Sequence, residues 1–509
     1  MKFNVFNKAK TVTNQEGANA FSLDQRTDLY SAVVTTSLSN KFYESGNDRM
    51  ERIRTLITQN DPAFVARLAV YARNKMYMRS VPLVLAVELA KTQAGNNGVV
   101  YKAVKGVVQR ADEITELLAY YQLANERKAT KKLNKLSKQI QHGLAEAFNR
   151  FDEYQFAKYN RDAEISLKDA LFLVHPKAVN EAQQVLFNKI AKEELEVPYT
   201  WETELSRLGQ QKFADEREKK IAVRTKWEEL ITSGKLGYMA LLRNLRNIIE
   251  ANVSAEVMTE VCTLLSDRNA VANSKQLPFR FLAAYREVKM LESGAVAMVL
   301  DALEKAVEQS AVNIRGFGKD TSVMIACDVS GSMQKAISAK SKILNYDIGL
   351  MLGMLLQSRC EDVQTGMFGD TWKIINVSRK NILASVQEFY QREGEVGYAT
   401  NGYLVLKDLI SRGEVVDKIM LFTDCQLWNS TIVDNVMQNS ITSLWKHYRK
   451  IAPQARLYLF DLAGYGNTPI DVRNEGVSLI AGWSDKIFDV LSALEDGESA
   501  LAEIEKIEL

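Results

Sequence analysis

Proline, cysteine and histidine are all scarce in this sequence, and each scarcity excludes something. Only 7 prolines occur among 509 residues, so long helices can run uninterrupted, because proline removes a backbone donor and clashes with the preceding turn. The four cysteines are widely spaced and form no CxxC pair, which argues against a zinc–thiolate site or a disulfide framework. The three histidines stand at no position expected of a catalytic triad.

Long apolar runs are also missing. No stretch approaches the roughly 18 apolar residues that span a bilayer, and the opening MKFNVFNKAK lacks the apolar core of a secretory signal. With 46% hydrophobic and 25% charged residues, the composition is that of an ordinary globular protein rather than a disordered or collagen-like chain. We therefore expect a cytoplasmic protein that does not contact a membrane.

The whole chain has little net charge, but its two parts carry net charges of opposite sign. The net charge is +2, from 65 basic and 63 acidic residues. Residues 1–300 hold 44 basic and 35 acidic side chains, whereas residues 301–509 hold 21 and 28, so the two parts carry +9 and −7. A basic first part suits a phosphate-rich partner, and an acidic second part suits a divalent cation.

The hydrophobic pattern divides the chain near the same place. From about residue 24 to about residue 312, apolar residues recur with helical period, which predicts stacked helix pairs as in an α-solenoid. After Arg315, short β-rich runs alternate with helices, the pattern of a doubly wound, mainly parallel sheet. We predict an N-terminal segment at 1–23, an α-helical domain at 24–315, an α/β domain at 316–495 and an acidic, frayed tail at 496–509.

Oxygen-bearing side chains follow the predicted strands of the α/β domain. Asp328, Ser330 and Ser332 come directly after its first strand, Thr400 precedes a helix, and Asp424 ends the strand KIMLFTD. Ligands gather at the carboxyl ends of parallel strands, and these hard oxygens suit Mg²⁺, or Mn²⁺, rather than Zn²⁺. The order D-x-S-x-S, T, D resembles the metal-ion-dependent adhesion site of von Willebrand factor A domains. That resemblance implies an open coordination position for an oxygen of an acidic partner.

The same motif has other interpretations. The two serines can instead cap the following helix. A phosphohydrolase of the DxD type needs a second acid where Ser330 stands, and a serine nucleophile needs a GxSxG turn with a partnered histidine. No catalytic residue is predicted, and we expect a protein without enzymatic activity.

A second candidate site lies in the lysine-rich segment RKATKKLNKLSK, which contains no acid. The spacing predicts one helix from Glu116 to Ile140, with Leu133 and Leu136 on its buried face. We interpret its lysines as contacts to RNA phosphates, although a lysine run is also common on a solvated helix face. These candidate phosphate contacts are Lys128, Lys131, Lys132, Lys135 and Lys138.

The block FAKYNRDAEISLKDALFLVHPK follows. Its basic side chains Lys158, Arg161, Lys168 and His175 extend the candidate RNA-binding set, and Tyr159 can stack on a base. His175 ends an apolar helix, where a histidine often does no more than stabilise the helix terminus.

Taken together, these segments resemble the TROVE-domain family of Ro-type ribonucleoproteins, in particular its bacterial or phage-like members. The matching blocks are DPAFVARLAVYARN, KYNRDAEISLKDALFLVHPK, LGYMALLRNLRNI, ACDVSGSM and FTDCQLW. In order, they extend over nearly all of the chain. The resemblance implies a ring of HEAT-like helical repeats closed by the von Willebrand factor A-like domain, and we expect a monomer.

The resemblance also implies partners. Family members bind small noncoding Y RNAs on the outer surface of the ring, and the 3′ ends of misfolded noncoding RNAs enter its hole. Bacterial members tether a Y RNA to the exoribonuclease polynucleotide phosphorylase. Lys158 and His175 match positions implicated in Y RNA contact. Arg161 lies near another such position but is shifted from it. An adaptor that docks an acidic protein through the metal site is the alternative function.

The sequence departs from the family pattern at two places. Tyr398 and Ala399 stand where family members often have two glycines before the threonine, which weakens Thr400 as a direct metal ligand. Phe172 stands where a basic residue often precedes the family histidine. The resemblance therefore leaves room for a different RNA affinity or specificity.

Overall fold

The computed structural model describes residues 10–38, 41, 43–92, 98–128, 133, 135–160, 162–338, 341–428 and 440–509. The chain forms two compact units. One, the α/β unit, contains Met1–Leu56, Ser266–Lys289 and Leu300–Glu503. The other, the helical unit, contains Ile57–Leu265, Met290–Val299 and Ile504–Leu509. Both units are therefore built from segments that are distant in the sequence.

Helices dominate the described residues up to position 310. These helices are α1 (Gln25–Val34), α2 (Gly46–Gln59), α3 (Pro62–Asn74), α4 (Ser80–Thr92), α5 (Val99–Val107), α6 (Asp112–Ala124), α7 (Lys138–Phe148), α8 (Glu153–Tyr159), α9 (Leu167–Val174), α10 (Glu181–Lys192), α11 (Trp201–Gly209), α12 (Glu216–Thr232), α13 (Tyr238–Glu250), α14 (Ala255–Ser266), α15 (Arg268–Ser274), α16 (Phe279–Lys289) and α17 (Val296–Ser310). Within the described ranges, none of the helices is long and apolar enough to cross a membrane.

Strands and helices alternate in the second part of the chain. The later helices are α18 (Asn345–Gln357), α19 (Ile382–Arg392), α20 (Tyr403–Arg412), α21 (Ile441–Ile451), α22 (Ile487–Glu495) and α23 (Ala502–Glu505). The strands are β1 (Thr11–Thr13), β2 (Asn19–Ser22), β3 (Ser322–Asp328), β4 (Asp362–Phe368), β5 (Trp372–Ile374), β6 (Lys418–Thr423), β7 (Arg456–Asp461), β8 (Asn467–Thr468) and β9 (Val477–Ala481).

The helical unit stacks its helices in pairs. Helix α3 packs on α4 and α5, α4 packs on α6, and α5 packs on α7. Each of these three helices thus contacts the helix two places later in the chain, as in helical repeats. Glycines permit close approach at two successive contacts. A Cβ atom on Gly106 would lie 2.5 Å from Val70 Cγ2, and one on Gly143 would lie 2.7 Å from Val104 Cβ. The predicted stacking of helices is confirmed.

One helix prediction is wrong: the segment from Glu116 to Ile140 is not a single helix. Helix α6 ends at Ala124, and α7 begins only at Lys138. Glu126 adopts a left-handed conformation with φ 53°, and Arg127 N donates to Gln122 O at 3.0 Å. These are the features of a Schellman helix end. A glycine usually marks such an end, and none is present here.

The α/β unit contains a six-stranded sheet of order β5-β4-β3-β6-β7-β9. Its pairings are parallel except for the edge pair β4–β5. Residues of β3 alternate between two covered faces. Met324 and Ala326 belong to the apolar core formed with α20 and α21, whereas a Cβ on Gly353 of α18 would lie 3.1 Å from Cys327 Sγ. The predicted doubly wound architecture, and with it the α plus α/β fold class, is confirmed.

The two units do not divide at the predicted boundary between residues 315 and 316. Helix α16 belongs to the α/β unit, where Arg286 forms a two-pronged ion pair with Asp347 of α18, at 2.9 and 2.6 Å. The Asp347 side chain has 0% exposure, and the Arg286 guanidinium lies 4.7 Å from the ring centre of Tyr390. Helical periodicity cannot reveal this association, because α16 looks like any other amphipathic helix.

The ends of the chain also differ from expectation. The predicted frayed tail contains α23, and its Ile504 is 1% exposed, while Ile507 O accepts a hydrogen bond from Arg67 Nε at 3.2 Å. The burial of the apolar Ile504 side chain within this acidic sequence explains why the segment is helical and not frayed. At the other end, β1 and β2 form an antiparallel hairpin that pairs with β8, an association that the sequence did not predict.

We predict that Arg286→Met lowers the free energy of unfolding of the α/β unit by about 3 to 5 kcal/mol, because it leaves the buried Asp347 carboxylate without its partner. Denaturant unfolding followed by tryptophan fluorescence measures the effect. Lys342→Met is the matched control, since it removes a cation that pairs with Glu287 of the same helix but is 87% exposed. The control should cost about 0 to 1 kcal/mol, and equal losses in the two variants would contradict the prediction.

Candidate functional sites

The predicted metal ligands are positioned by the central strands of the sheet. Strand β3 ends at Asp328 between β4 and β6, and Cys327 pairs with Phe422 of β6. This register places Thr423 beside Asp328, and Thr423 Oγ1 donates to Asp328 Oδ2 at 2.6 Å. Asp424 follows directly. All five predicted ligands are at most 5% exposed, namely Asp328, Ser330, Ser332, Thr400 and Asp424.

The serine loop folds back on Asp328. Asp328 Oδ1 accepts a hydrogen bond from Ser330 N at 2.9 Å, and the hydroxyl oxygens of Ser330 and Ser332 lie 3.2 Å apart. A short 3₁₀ helix begins at Gly331, but the Ser330 side chain makes no capping bond to it. The capping interpretation is therefore wrong for Ser330, and the two hydroxyls face each other instead.

Thr400 joins this group through hydrogen bonds between loops. Gly331 N donates to Tyr398 O at 3.1 Å, and Thr400 Oγ1 accepts a hydrogen bond from Trp428 N at 2.8 Å. The Tyr398 side chain is 50% exposed. Because only the Tyr398 backbone is used here, this larger residue is accommodated where the family often has glycine.

Asp424 carries the clearest sign of a missing partner. Its Oδ1 accepts a hydrogen bond from Gln426 N at 2.9 Å, whereas its buried Oδ2 has no hydrogen-bond partner in the part of the chain that the structure describes. Burial and the neighbouring charge of Asp328 raise the pKa of Asp424, and burial raises the pKa of Asp328. Two buried carboxylates of like charge are costly without a compensating cation.

The donor set fits a hard divalent cation. It combines two carboxylates with three hydroxyls, all of them buried. Hydroxyl and carboxylate oxygens are ligands of Mg²⁺ and Mn²⁺, while zinc prefers nitrogen and sulfur. The five predicted residues could therefore hold Mg²⁺ or Mn²⁺.

Three residues that the sequence analysis missed belong to this site. Thr423 orients Asp328, and its position next to Asp424 was the available signal. Glu16 and Tyr43 line a cavity of about 350 Å³ together with Ser332 and Thr400. Nothing in the sequence indicated that residues so near the N-terminus would reach the ends of these strands.

The helical unit brings two predicted RNA-binding residues together. Lys138 is the first residue of α7, and its Nζ donates to Gln141 Oε1 at 3.2 Å. Gln141 Nε2 in turn donates to Val174 O at 3.1 Å, at the end of α9. His175 follows in a left-handed conformation and is exposed. This short chain of hydrogen bonds places Lys138 close to His175.

Other predicted RNA-binding residues occupy the connection between α6 and α7. Lys128 and Lys135 are exposed there, and Lys135 O accepts a hydrogen bond from Tyr121 OH at 3.3 Å. Leu133 and Leu136 are buried, as predicted. Lys128 follows the end of α6 and Lys135 lies in a 3₁₀ turn before α7, so these two lysines do not share the face of one continuous α-helix. Lys131, Lys132 and Arg161 lie outside the described residues.

The following block adds aromatic rings to basic side chains. Lys158 Nζ lies 5.5 Å from the ring centre of Tyr154, which is 45% exposed. Tyr159 is the residue predicted to stack on a base. The Arg110 guanidinium lies over its ring, 4.1 Å from the ring centre.

Two further residues of this block differ in their availability to a ligand. Lys168 is paired with Glu193 at 2.9 Å, so RNA would compete with that carboxylate for its charge. Phe172 is 55% exposed and lies one helical turn before His175.

Comparisons with known proteins agree with this fold. The family model for the TROVE domain matches residues 22–220 and 191–327. Telomerase protein component 1 of Mus musculus is 42% identical over 96 residues, 19% of this chain and 3% of that protein. Its counterpart in Rattus norvegicus is 26% identical over 312 residues, 46% of this chain and 11% of that protein. The chain thus spans a small part of these relatives.

A solved structure extends the likeness to almost the whole chain. The crystal structure of the Ro (RSR) protein of Deinococcus radiodurans superposes with a TM-score of 0.57 at 18% identity. The match covers 93% of this chain and 100% of that one. The family match covers well over half of the sequence and includes the helical blocks that carry the resemblance. The chain therefore belongs to the TROVE-domain family.

Proposed function

We propose that this chain is a Ro-type protein that binds noncoding RNA without catalysing a reaction. Membership of the TROVE-domain family supports the proposal. The observation that carries it is the hydrogen-bonded path from Lys138 through Gln141 to the carbonyl that precedes His175. It links the Lys138 side chain to the end of α9, next to the exposed His175, and an exposed cation at this position suits an RNA backbone.

The chemistry of this surface suits structured RNA with unpaired segments. Exposed lysines neutralise phosphates and release counterions, while the exposed rings of Tyr154 and Phe172 can stack on unpaired bases. As part of the same proposal, the ligands are a small Y-like RNA and the 3′ ends of misfolded RNAs. The protein then acts in RNA quality control in the cytoplasm, with polynucleotide phosphorylase as the exoribonuclease to which the RNA is tethered.

We predict that Lys135→Glu, Lys138→Glu and Lys158→Glu combined weaken binding of a hairpin RNA with an unpaired 3′ tail by about 100-fold at moderate salt. Each lost phosphate contact also reduces the slope of log affinity against log salt by about 0.7 to 0.9. Fluorescence anisotropy at several salt concentrations measures both quantities.

A charge-matched variant controls for a general electrostatic effect. Lys212→Glu, Lys219→Glu and Lys220→Glu make the same change of charge on or just before α12, where all three residues are exposed. This control should change affinity much less. The proposed surface would be wrong if both triple variants lost the same affinity, or if the first bound RNA as the unmodified protein does.

We predict that Phe172→Ala weakens binding of the tailed RNA by about 1 to 3 kcal/mol, the contribution of one base–aromatic stack. The salt slope should stay unchanged, because no charge is removed. Phe172→Trp should retain binding. Leu123→Ala serves as the control, since Leu123 is an exposed apolar residue without a ring. Equal effects of the Phe172→Ala and Leu123→Ala changes would show that no base stacks on Phe172.

We also propose that the α/β unit binds Mg²⁺ or Mn²⁺ and docks an acidic protein, the second candidate function. The buried Asp424 Oδ2, which has no hydrogen-bond partner within the described ranges, favours it. Asp328, Ser330, Ser332, Thr400 and Asp424 would hold the ion, which supplies a positive charge to attract a carboxylate of the partner. The protein residues position these oxygens and exclude water from them by burial.

The raised pKa of Asp424 gives a prediction for the metal-free protein. A carboxyl group with a raised pKa binds its proton more tightly when folded, so stability is lost as pH rises above the ordinary value of 3.8. Asp424→Asn removes the titrating carboxyl group and with it this loss of stability. In EDTA, we expect the variant to be more stable than the unmodified protein by about 1 to 3 kcal/mol near pH 8, and by little near pH 4.

Added Mg²⁺ should make the unmodified protein more stable than the Asp424→Asn variant. Binding to the folded state raises the melting temperature of the unmodified protein, and Asp424→Asn should show little change. Scanning calorimetry with and without Mg²⁺ measures both effects. A metal-induced rise of equal size in both proteins, or in neither, would contradict the proposed metal site.

A further inference from the structure

The N-terminal hairpin ends in a tightly organised turn. Asn14 N donates to Ala18 O at 2.9 Å, and Gly17 takes a left-handed conformation with φ 81°. Asn14 Oδ1 accepts hydrogen bonds from Glu16 N at 3.1 Å and from Ala18 N at 2.9 Å. Asn14 is itself buried. The turn therefore holds the backbone of Glu16 in one conformation.

This turn is fixed to the loop that follows the last predicted metal ligand. Asn14 Nδ2 donates to Leu427 O at 2.9 Å, and Gln15 N donates to Gln426 Oε1 at 3.0 Å. Gln426 is the residue whose N–H binds Asp424 Oδ1. The same structural frame thus positions Glu16 and Asp424, although more than 400 residues separate them in sequence.

The Glu16 carboxylate faces the cavity at the metal site. Glu16 lines that cavity together with Ser332 and Thr400, and its Oε1 accepts a hydrogen bond from the Tyr43 hydroxyl. This bond engages Oε1 and not Oε2. The negative charge of Glu16 also contributes to the raised pKa of Asp328, which reflects their proximity.

We propose that Glu16 is a further ligand of the metal site and fills the position that an acidic partner would otherwise take. The inference rests on the proposed metal site and deepens it. A carboxylate that accepts a hydrogen bond on one oxygen, here Oε1 from Tyr43, keeps its other oxygen for a cation. A third carboxylate raises affinity, because ligand charge tunes the affinity of oxygen sites for divalent cations. The hairpin then acts as an internal ligand, and an external carboxylate must displace it.

The test compares the full chain with Glu16→Gln and Asp424→Asn, using Mn²⁺ as the probe. Calorimetric titration gives the affinity, and water-proton relaxation reports water molecules bound to Mn²⁺. Glutamine keeps an oxygen for Tyr43 and removes the charge, so the fold should be retained, with a melting temperature in EDTA no lower than that of the unmodified protein. Glu388→Gln is the control for an exposed acid on the same unit.

We expect Glu16→Gln to weaken Mn²⁺ binding by about 10-fold and to raise the relaxation enhancement by about one bound water. Asp424→Asn should abolish binding, and Glu388→Gln should change neither quantity. Unchanged affinity and relaxation in Glu16→Gln, with binding lost in Asp424→Asn, would overturn the inference and leave the metal site standing. Absence of Mn²⁺ binding to the unmodified protein would overturn both.

Discussion

Two carboxylates, Asp328 and Asp424, are buried together at the ends of adjacent parallel strands, and their mutual repulsion sets the requirements for the surrounding structure. Thr423 and the Ser330 N–H each donate a hydrogen bond to Asp328, and the Gln426 N–H donates to Asp424. These bonds leave one buried oxygen, Asp424 Oδ2, without a hydrogen-bond partner among the described residues. The hydrogen bonding of the site is thus incomplete, which is typical of a binding site rather than of a structural core.

The two candidate sites obtain their residues in different ways. At the sheet edge, strand register and three converging loops fix five side chains, so small shifts would alter the chemistry. On the helical unit, basic residues lie in a loop and at helix ends, where Lys138 and His175 need only be exposed and near each other. Phosphate binding tolerates such variation because it depends on charge more than on exact geometry.

Much of this fold follows from local sequence patterns, and the exceptions share a cause. The strand TSVMIACD, the residues Asp328 and Ser330 after it, and the alternation with helices were all predictable, because they depend on neighbouring residues. The helix end at Glu126 was not, since a left-handed glutamate lacks the usual glycine signal. The placement of α16 and of Glu16 depends on contacts between residues distant in sequence, which periodicity does not encode.

The hairpin and α1 also have a consequence for how the chain is made. Tyr30 OH donates to Ala481 O across 451 residues of sequence, and β2 pairs with β8. A ribosome adding about 5 to 20 residues per second needs roughly 20 to 90 seconds to cover that interval. During this time the free edge of β2 has no strand to pair with. The hairpin and α1 therefore emerge well before the segments that stabilise them, and in that interval the unpaired edge of β2 is open to contact by a chaperone.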